Sequence, residues 1–350
     1  MNSRLPLLVC LAAALACIPV RAAADSPAAT RAAFLQLIAR PPVPLAPALQ
    51  PPAEKDGLVH LAFSYAADAD QRVPAVLVQS AVPAAPGRRP VVISLHGTGG
   101  HKEGQIKLLT QFAAAGFIGV SLDGRYHGAR AKTPKGTGDY TAAILRAYRA
   151  DEPHEHPFYY DTVRDVMRLI DYLVTRDDVD PARIGIIGFS KGGTEAYLAA
   201  AADPRVAATV ACIGLQSFRW ALDHDAWQSR IGTIQAAVDA AAQDAGVTTV
   251  DAAFIRRFYA RTNPGLIDRF DGPAMLPLIA PRPFLAINGD TDPRTPVPGL
   301  ELCATAARTA YRAAGAEENF TLTIQPNTGH KVNPDSLLAA REWLVRRLQP

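Results

Sequence analysis

The stretch RIGIIGFSKGGTEAYLAAAA, residues 183–202, leaves a chain of 350 residues little freedom in how it folds. A short apolar run ends in a serine fenced by Gly188, Gly192 and Gly193, and an Ala-rich helical segment follows at once. A strand that turns this tightly into a helix brings backbone against backbone, where a side chain with a Cβ obstructs the approach. The surrounding pattern repeats the alternation. From residue 90 onward PVVISLH, FIGVSL, RIGIIGF, VAATVACIG, PFLAIN and FTLTIQ read as strands. Helical patterns fall between them at Lys102 to Ala115 and in YDTVRDVMRLIDYLVTR, where Val163, Val166, Ile170 and Leu173 recur at helical spacing. A last helix is expected from Leu337 to Leu348. This is the grammar of an α/β fold: a mostly parallel central sheet flanked by helices, with ligands bound beyond the C-terminal ends of the strands.

Ahead of this region, LVHLAFSY and VPAVLVQS are joined by AADADQR and predict an antiparallel hairpin. Residues 25–56 are rich in Ala and Pro and read as an N-terminal arm with one helix at Ala29 to Ala39. A single domain is expected over 57–350. Two stretches break the alternation. Residues 124–158 read as a long polar loop, and 216–280 as a helical cap insertion rich in Trp, Arg and Asp. Both follow strand C-termini, so both can cover a site.

The first residues have another character. Arg4 precedes an apolar stretch from Leu5 to Val20, and small residues follow at Ala22 to Ala24. The apolar part is too short to span a bilayer, and its end suits a signal peptidase, so residues 1–24 read as an export signal cut after Ala22 or Ala24. The destination is a periplasm or the medium; a lipoprotein signal at Cys17 is the lesser alternative, because Ala14-Leu15-Ala16 fits a lipobox poorly. No later segment is long and apolar enough to cross a membrane, so no stable membrane insertion is expected. Loss of Arg4 and Arg21 takes the formal charge from +3 to +1, which leaves no basic footprint for nucleic acid. Of the cysteines, Cys212 and Cys303 remain. Cys212 lies in VAATVACIG and reads as a small hydrophobe, while an oxidising compartment would permit a bridge to Cys303.

Gly188-Phe189-Ser190-Lys191-Gly192 matches the G-x-S-x-G nucleophile elbow, in its strand–helix context. The strand PFLAIN is followed by GDTDPRTP, with Asp290 and Asp292, and FTLTIQ by PNTGHKV, with His330. A serine hydroxyl is a weak nucleophile until an imidazole takes its proton, and a carboxylate orients that imidazole. The order Ser190, Asp292, His330, each just past a strand, supplies the set. Asp292 lies three residues beyond Gly289 and can turn toward the histidine, whereas Asp290 reads as a turn residue bonding nearby amides. The amides of Lys191 and Thr98 are the expected oxyanion donors, Thr98 from the loop His96-Gly97-Thr98-Gly99-Gly100, with Gly97 and Gly99 as neighbours in the same role. In DGRYHGAR, Arg125 and His127 either line the substrate pocket or brace it through buried hydrogen bonds, with bracing the first reading. Trp220, with Arg219 and Trp227, either closes the pocket or packs the cap. His154 and His156 form an H-x-H with nothing to complete a ligand set, so no metal is expected and a solvated loop is read there.

HGTGG, DGRYHGAR, the elbow with its preceding helix, GDTDPRTP and the final GH together resemble the α/β-hydrolase superfamily. The pattern resembles its dienelactone hydrolase, acetyl xylan esterase and prolyl-oligopeptidase-related group, in an esterase-like branch, over roughly residues 58–348. The resemblance implies a serine carboxylester hydrolase of short-acyl, acetyl-type esters that needs no cofactor and takes a small-molecule ester. It departs from the dienelactone enzymes, which have cysteine at the position of Ser190. Lys191 stands where Met or Leu is frequent; its side chain either attracts an acidic substrate or points to solvent, the latter being expected. A prolyl-oligopeptidase-like peptidase shares the triad, but no propeller repeats are visible. An acyltransferase, or a binding protein on a hydrolase scaffold, is the remaining rival. The sequence says nothing of oligomeric state.

Overall fold

The six apolar runs after residue 88 form the parallel half of one sheet. The computed structural model describes residues 26–82, 87–133 and 136–349; the export signal read at 1–24 lies outside the described residues. In chain order the strands are β1 (Ala48–Leu49), β2 (Ala53–Lys55), β3 (Leu58–Ala66), β4 (Arg72–Ser80), β5 (Arg89–Leu95), β6 (Ile118–Leu122), β7 (Val179–Phe189), β8 (Val206–Cys212), β9 (Phe284–Gly289) and β10 (Phe320–Gln325). They lie side by side as β1-β3-β4-β6-β5-β7-β8-β9-β10, with β2 also on β3. β3 and β4 are the expected antiparallel hairpin, in register from Leu58 opposite Ser80 to Ala66 opposite Arg72. β6 and β9 are buried at every position, as strands covered on both faces must be. The strand order reverses at β5, so the loops after β5 and β7 meet at the C-terminal edge, where an open sheet binds its ligand.

The helix Tyr160–Leu173 packs Val163, Val166, Ile170 and Leu173 into the core, as their spacing predicts. The arm is docked. Its helix runs from Pro27 to Leu37 with Ser26 as N-cap, and Phe34 is fully buried edge-on to Tyr160 and Phe270, each at 5.1 Å. Burying that ring alone is worth about 2–3 kcal/mol. Arg31 adds bonds to the carbonyls of Ala201 and Leu278, so the arm is pinned to the helix that follows Ser190. The short strands β1 and β2, which the composition of the arm did not suggest, extend the sheet beyond β3.

The stretch 124–158 is not the loop expected. It holds a helix at Gly138–Arg149, whose Tyr140, Ala143, Ile144 and Ala147 make a buried stripe at helical spacing. That stripe was hidden by polar neighbours on the other face. Between β8 and β9 the insertion carries helices at Phe218–Asp223, Gln228–Ile231, Gln235–Asp244, Ala252–Thr262 and Gly272–Met275. The two regions pack on each other: Tyr148 stacks on Phe258 at 5.3 Å, and Arg149 makes a bidentate pair with Asp244. Cys212 and Cys303 are both free and buried, with no bridge between them, and burial pushes both thiols up. No described helix is long and apolar enough to cross a membrane.

Candidate active site

The elbow is shaped by contacts that exclude any Cβ. One added to Gly188 would stand 1.9 Å from the carbonyl oxygen of Gly192, and one on Gly192 would stand 2.4 Å from that of Leu95. Ser190 itself holds φ 55° and ψ −113°, in the left-handed region that a residue with a side chain avoids. Such a conformation costs about 1–3 kcal/mol and persists because its surroundings fix it. Here the Ser190 N–H donates to Cys212 O at 2.9 Å, and Ser190 O accepts from Thr194 N at 3.1 Å.

The strain presents the hydroxyl to a histidine. Ser190 Oγ lies 2.7 Å from His330 Nε2. On the other side of the ring, Nδ1 lies 2.8 Å from Asp292 Oδ2 and 3.0 Å from Oδ1. A carboxylate only accepts, so Nδ1 carries the proton and Nε2 is left to receive the one on Ser190. Burial would raise the Asp292 carboxyl, but its hydrogen bond and charge contact with His330 and the Arg294 amide outweigh that and hold it below the usual carboxylate range. Asp290 is exposed and accepts from Asn327 N and Thr328 N at 3.0 Å each, the turn role read from the sequence. It thereby staples the acid loop to the loop that carries His330.

Lys191 opens the helix Lys191–Ala202, and its amide has no intrahelical acceptor, so it is free to bind an anion. The second expected donor lies in the loop after β5. Gly97 is the residue against the elbow, with room for a Cβ only 3.5 Å from Ser190 Cβ; Thr98 follows it, half-buried. His96 holds this loop. Its Nδ1–H donates to Gly97 O at 2.8 Å and its Nε2 accepts from Gly124 N at 3.0 Å. Burial and the nearby Lys191 lower its pKa to about 4, so the ring stays neutral and this arrangement persists at neutral pH.

The Lys191 side chain does not reach solvent. It turns inward, pairs with Glu195 at 2.5 Å, lies 5.6 Å over the Tyr140 ring and abuts Gly124. The expectation failed because a lysine at helical spacing from a glutamate can pair inside as readily as outside. Arg125 is likewise no lining residue. Its guanidinium is buried and shared among Asp68, Asp165 and Glu155, with the Asp68 contact at 2.6 Å. His127 is buried, donates from Nδ1 to Arg125 O at 2.7 Å, and has its pKa lowered by burial to about 2. Both brace the loop after β6, whose Asp123 accepts from Lys102 Nζ and from the amides of Lys102 and Ala129. Trp220 stacks on His224 at 4.5 Å and abuts Gly299, so it packs the cap. His156, read as part of a solvated loop, is buried and bonded to Thr262 O at 3.0 Å, while His154 is exposed. Its partner lies 106 residues downstream, which local sequence does not reveal. No cluster of three or more His, Cys, Asp or Glu able to hold a metal ion occurs among the described residues.

Sequence reasoning missed Arg230. It is almost wholly buried in the insertion and bonds Ile213 O, Gln216 Oε1 and Thr295 Oγ1. No motif surrounds it; only its place in a segment over the strand ends drew attention to the region.

Comparison with known proteins agrees with the architecture. Residues 53–227 match the family model described as acetyl xylan esterase (AXE1), and residues 163–315 match that of glucuronyl esterase, fungi. The protein named "Putative hydrolase YtaP" of Bacillus subtilis (strain 168) is 28% identical over 186 residues, 52% of this chain and 53% of that one, so the match spans about half the length of that relative. Among solved structures, acetyl xylan esterase 1 from Thermoanaerobacterium sp. JW/SL YS485 superposes with a TM-score of 0.68 at 18% identity, covering 91% of this chain and 94% of the other. A glucuronoyl esterase from Solibacter usitatus gives 0.61 at 15% identity, covering 91% and 92%. These structural likenesses show the fold. With half of the residues matched by the first family model, the chain belongs to the acetyl xylan esterase (AXE1) family, a family of carboxylester hydrolases in the α/β-hydrolase superfamily.

Proposed function

We propose that this protein is a serine carboxylester hydrolase acting on short-acyl, acetyl-type esters through an acyl-enzyme. The observation that carries the reading is the 2.7 Å approach of Ser190 Oγ to His330 Nε2, with Asp292 holding the far side of the ring. Ser190 Oγ attacks the ester carbonyl carbon as its proton passes to His330 Nε2. The carbonyl oxygen becomes an oxyanion, received by the Lys191 amide and an amide of the loop at Gly97 and Thr98. His330 then gives its proton to the departing alkoxide, leaving the acyl group on Ser190. Water, deprotonated by the same nitrogen, attacks the acyl carbon, and the carboxylic acid leaves as Ser190 regains its proton.

The match of residues 163–315 to the glucuronyl esterase model favours a second reading, an ester whose acyl part is a uronic acid. The same machinery serves both; the difference is which side of the ester carries the sugar. Export rests on the leader-like first 24 residues. The mass of the secreted N-terminus tests it: a start at Ala23 or Asp25 supports export, and an intact Met1 in the cytoplasm overturns it.

The deciding experiment is labelling of the mature protein with a fluorophosphonate, with the adduct mapped by mass. Turnover of p-nitrophenyl acetate to octanoate and of a methyl glucuronate ester runs alongside, with Ser190→Ala as control. Labelling at Ser190 and faster turnover of acetate support the main reading. Preference for the glucuronate ester favours the second. A folded protein that takes no label, or a Ser190→Ala variant with full activity, overturns both.

A further inference from the structure

Asp292 sits on the loop between β9 and the helix Val297–Ala313, and something must fix that loop for its carboxylate to meet His330 with both oxygens. Inside the loop, Asp292 accepts from the Arg294 amide, and Thr295 N donates to Asp292 O at 3.3 Å. Thr295 is the point where the loop is tied down. It is fully buried, its carbonyl accepts from Asn288 Nδ2 at 3.0 Å, and its hydroxyl accepts from Arg230 Nη2 at 2.7 Å. The same Nη2 donates to Ile213 O at 3.1 Å, just past β8, and Arg230 Nε donates to Gln216 Oε1 at 3.1 Å. One guanidinium thus joins the end of the strand next to the elbow, the start of the insertion and the acid loop.

We propose that Arg230 is a positioning residue for the hydrolytic reaction, holding the acid loop through Thr295 so that Asp292 keeps its two-oxygen grip on His330. The insertion then carries a part that sets the catalytic geometry. This rests on the reading of Ser190, Asp292 and His330 as the catalytic set. An arginine suits the task, because its rigid fork of donors meets several acceptors at once and never loses its proton. The site is dry. The groups that feel the Arg230 charge include the phenols of Tyr159, Tyr197 and Tyr259, all raised by burial and therefore neutral, and the Asp292 carboxylate. The other charged side chains on the loops of Asp292 and His330, namely Asp290, Arg294 and Lys331, are exposed and screened.

Arg230→Met removes both the tie and the charge. With p-nitrophenyl acetate, kcat should fall by about 10- to 100-fold, the size of effect that misplacement of a reacting group produces, while KM stays within about 3-fold. Arg230→Lys keeps the charge but not the fork of donors, so kcat should stay low. Thr295→Val keeps shape and charge but breaks the tie, so kcat should fall while KM holds.

Wild-type kcat in a folded Thr295→Val variant overturns the proposal, as does an Arg230→Met variant whose only loss is thermal stability. Where Arg230→Met does not fold, Thr295→Val decides alone. Ser190→Ala separates this from the underlying assignment. An active Ser190→Ala variant defeats the catalytic reading itself, whereas an inert one beside wild-type-like Arg230→Met and Thr295→Val variants defeats only the role of Arg230.

Discussion

Lys191 and Glu195 form an ion pair one helical turn apart, directly behind the elbow serine, with both side chains only 1% exposed. Burial raises the Glu195 carboxyl above its ordinary range despite the ammonium facing it. The pair costs desolvation on both sides, yet breaking it is worse than never having had it, because one charge is then stranded. Glu195→Ala should therefore destabilise the protein by about 3–5 kcal/mol, and the double replacement Lys191→Met with Glu195→Leu by far less. Urea denaturation of the single and double variants measures this. Equal losses in both would mean that the pair is not buried as described.

The glycines of the elbow make a sharper prediction. Gly188→Ala and Gly192→Ala place a Cβ against backbone atoms that cannot swing aside, 1.9 Å and 2.4 Å away respectively. Relief requires moving the turn, at a cost of at least about 1–3 kcal/mol and with the Ser190 hydroxyl displaced. Gly104→Ala meets nothing within 4 Å and serves as the control. Melting temperature and esterase rate should drop together in the first two variants and hold in the third. A fully active Gly192→Ala protein would show the turn to be roomier than this.

How far the sequence could be read follows from the range of the forces involved. The sheet was legible because buried parallel strands advertise themselves as apolar runs, and the elbow because its glycines and serine are neighbours in the chain. Asp292 was separable from Asp290 by its distance from the strand end. The helix Gly138–Arg149 was not seen, since its apolar stripe is short and sits among charged residues. Residues held by distant partners were harder still. Arg230 meets Thr295 across 65 residues, and the Arg125 guanidinium meets Asp68 across 57, so no local pattern marks either as buried. The inward turn of Lys191 was open to view as a lysine and glutamate four apart, but that spacing fits an exposed helix face equally well.

Arg125 offers a test of bracing against substrate contact. It is buried with Asp165, which also receives Arg130 at 2.5 Å, and Asp68 is shared with Arg164 at 2.7 Å. Arg125→Met should cost about 1.5–3 kcal/mol, because Asp165 and Asp68 each lose one of two arginines, and Arg125→Lys nearly as much, because a point charge cannot serve the fork of acceptors. With the guanidinium buried in this ion-pair network, KM for p-nitrophenyl acetate should stay within about 3-fold in whatever protein folds. A large rise in KM with unchanged stability would return Arg125 to the pocket.

His127 makes stability depend on pH. Its folded pKa is lowered from 6.5 to about 2 by burial and by Lys191, so below about pH 6.5 the unfolded chain takes up a proton that the native ring refuses. The unfolded state then binds more protons, and stability falls as the pH drops from 6.5 toward 2. Two buried carboxyls, Asp161 and Asp271, work against this, since burial raises each to about 6 and the native state gains a proton first as the pH falls through that value. The wild-type curve is therefore a partial cancellation, and the informative quantity is its difference from a variant. His127→Phe keeps the ring packed between His96 and Tyr140 but cannot titrate. It should be less stable than wild type at pH 8, by about 1 kcal/mol for the lost bond to Arg125 O. On acidification to pH 4 it should regain on the order of 3 kcal/mol relative to wild type, the linkage expected of one histidine kept neutral over that interval. Urea titrations from pH 8 to pH 4 measure both curves. Parallel curves would mean that His127 takes its proton in the folded protein, and hence that its ring nitrogens are open to solvent.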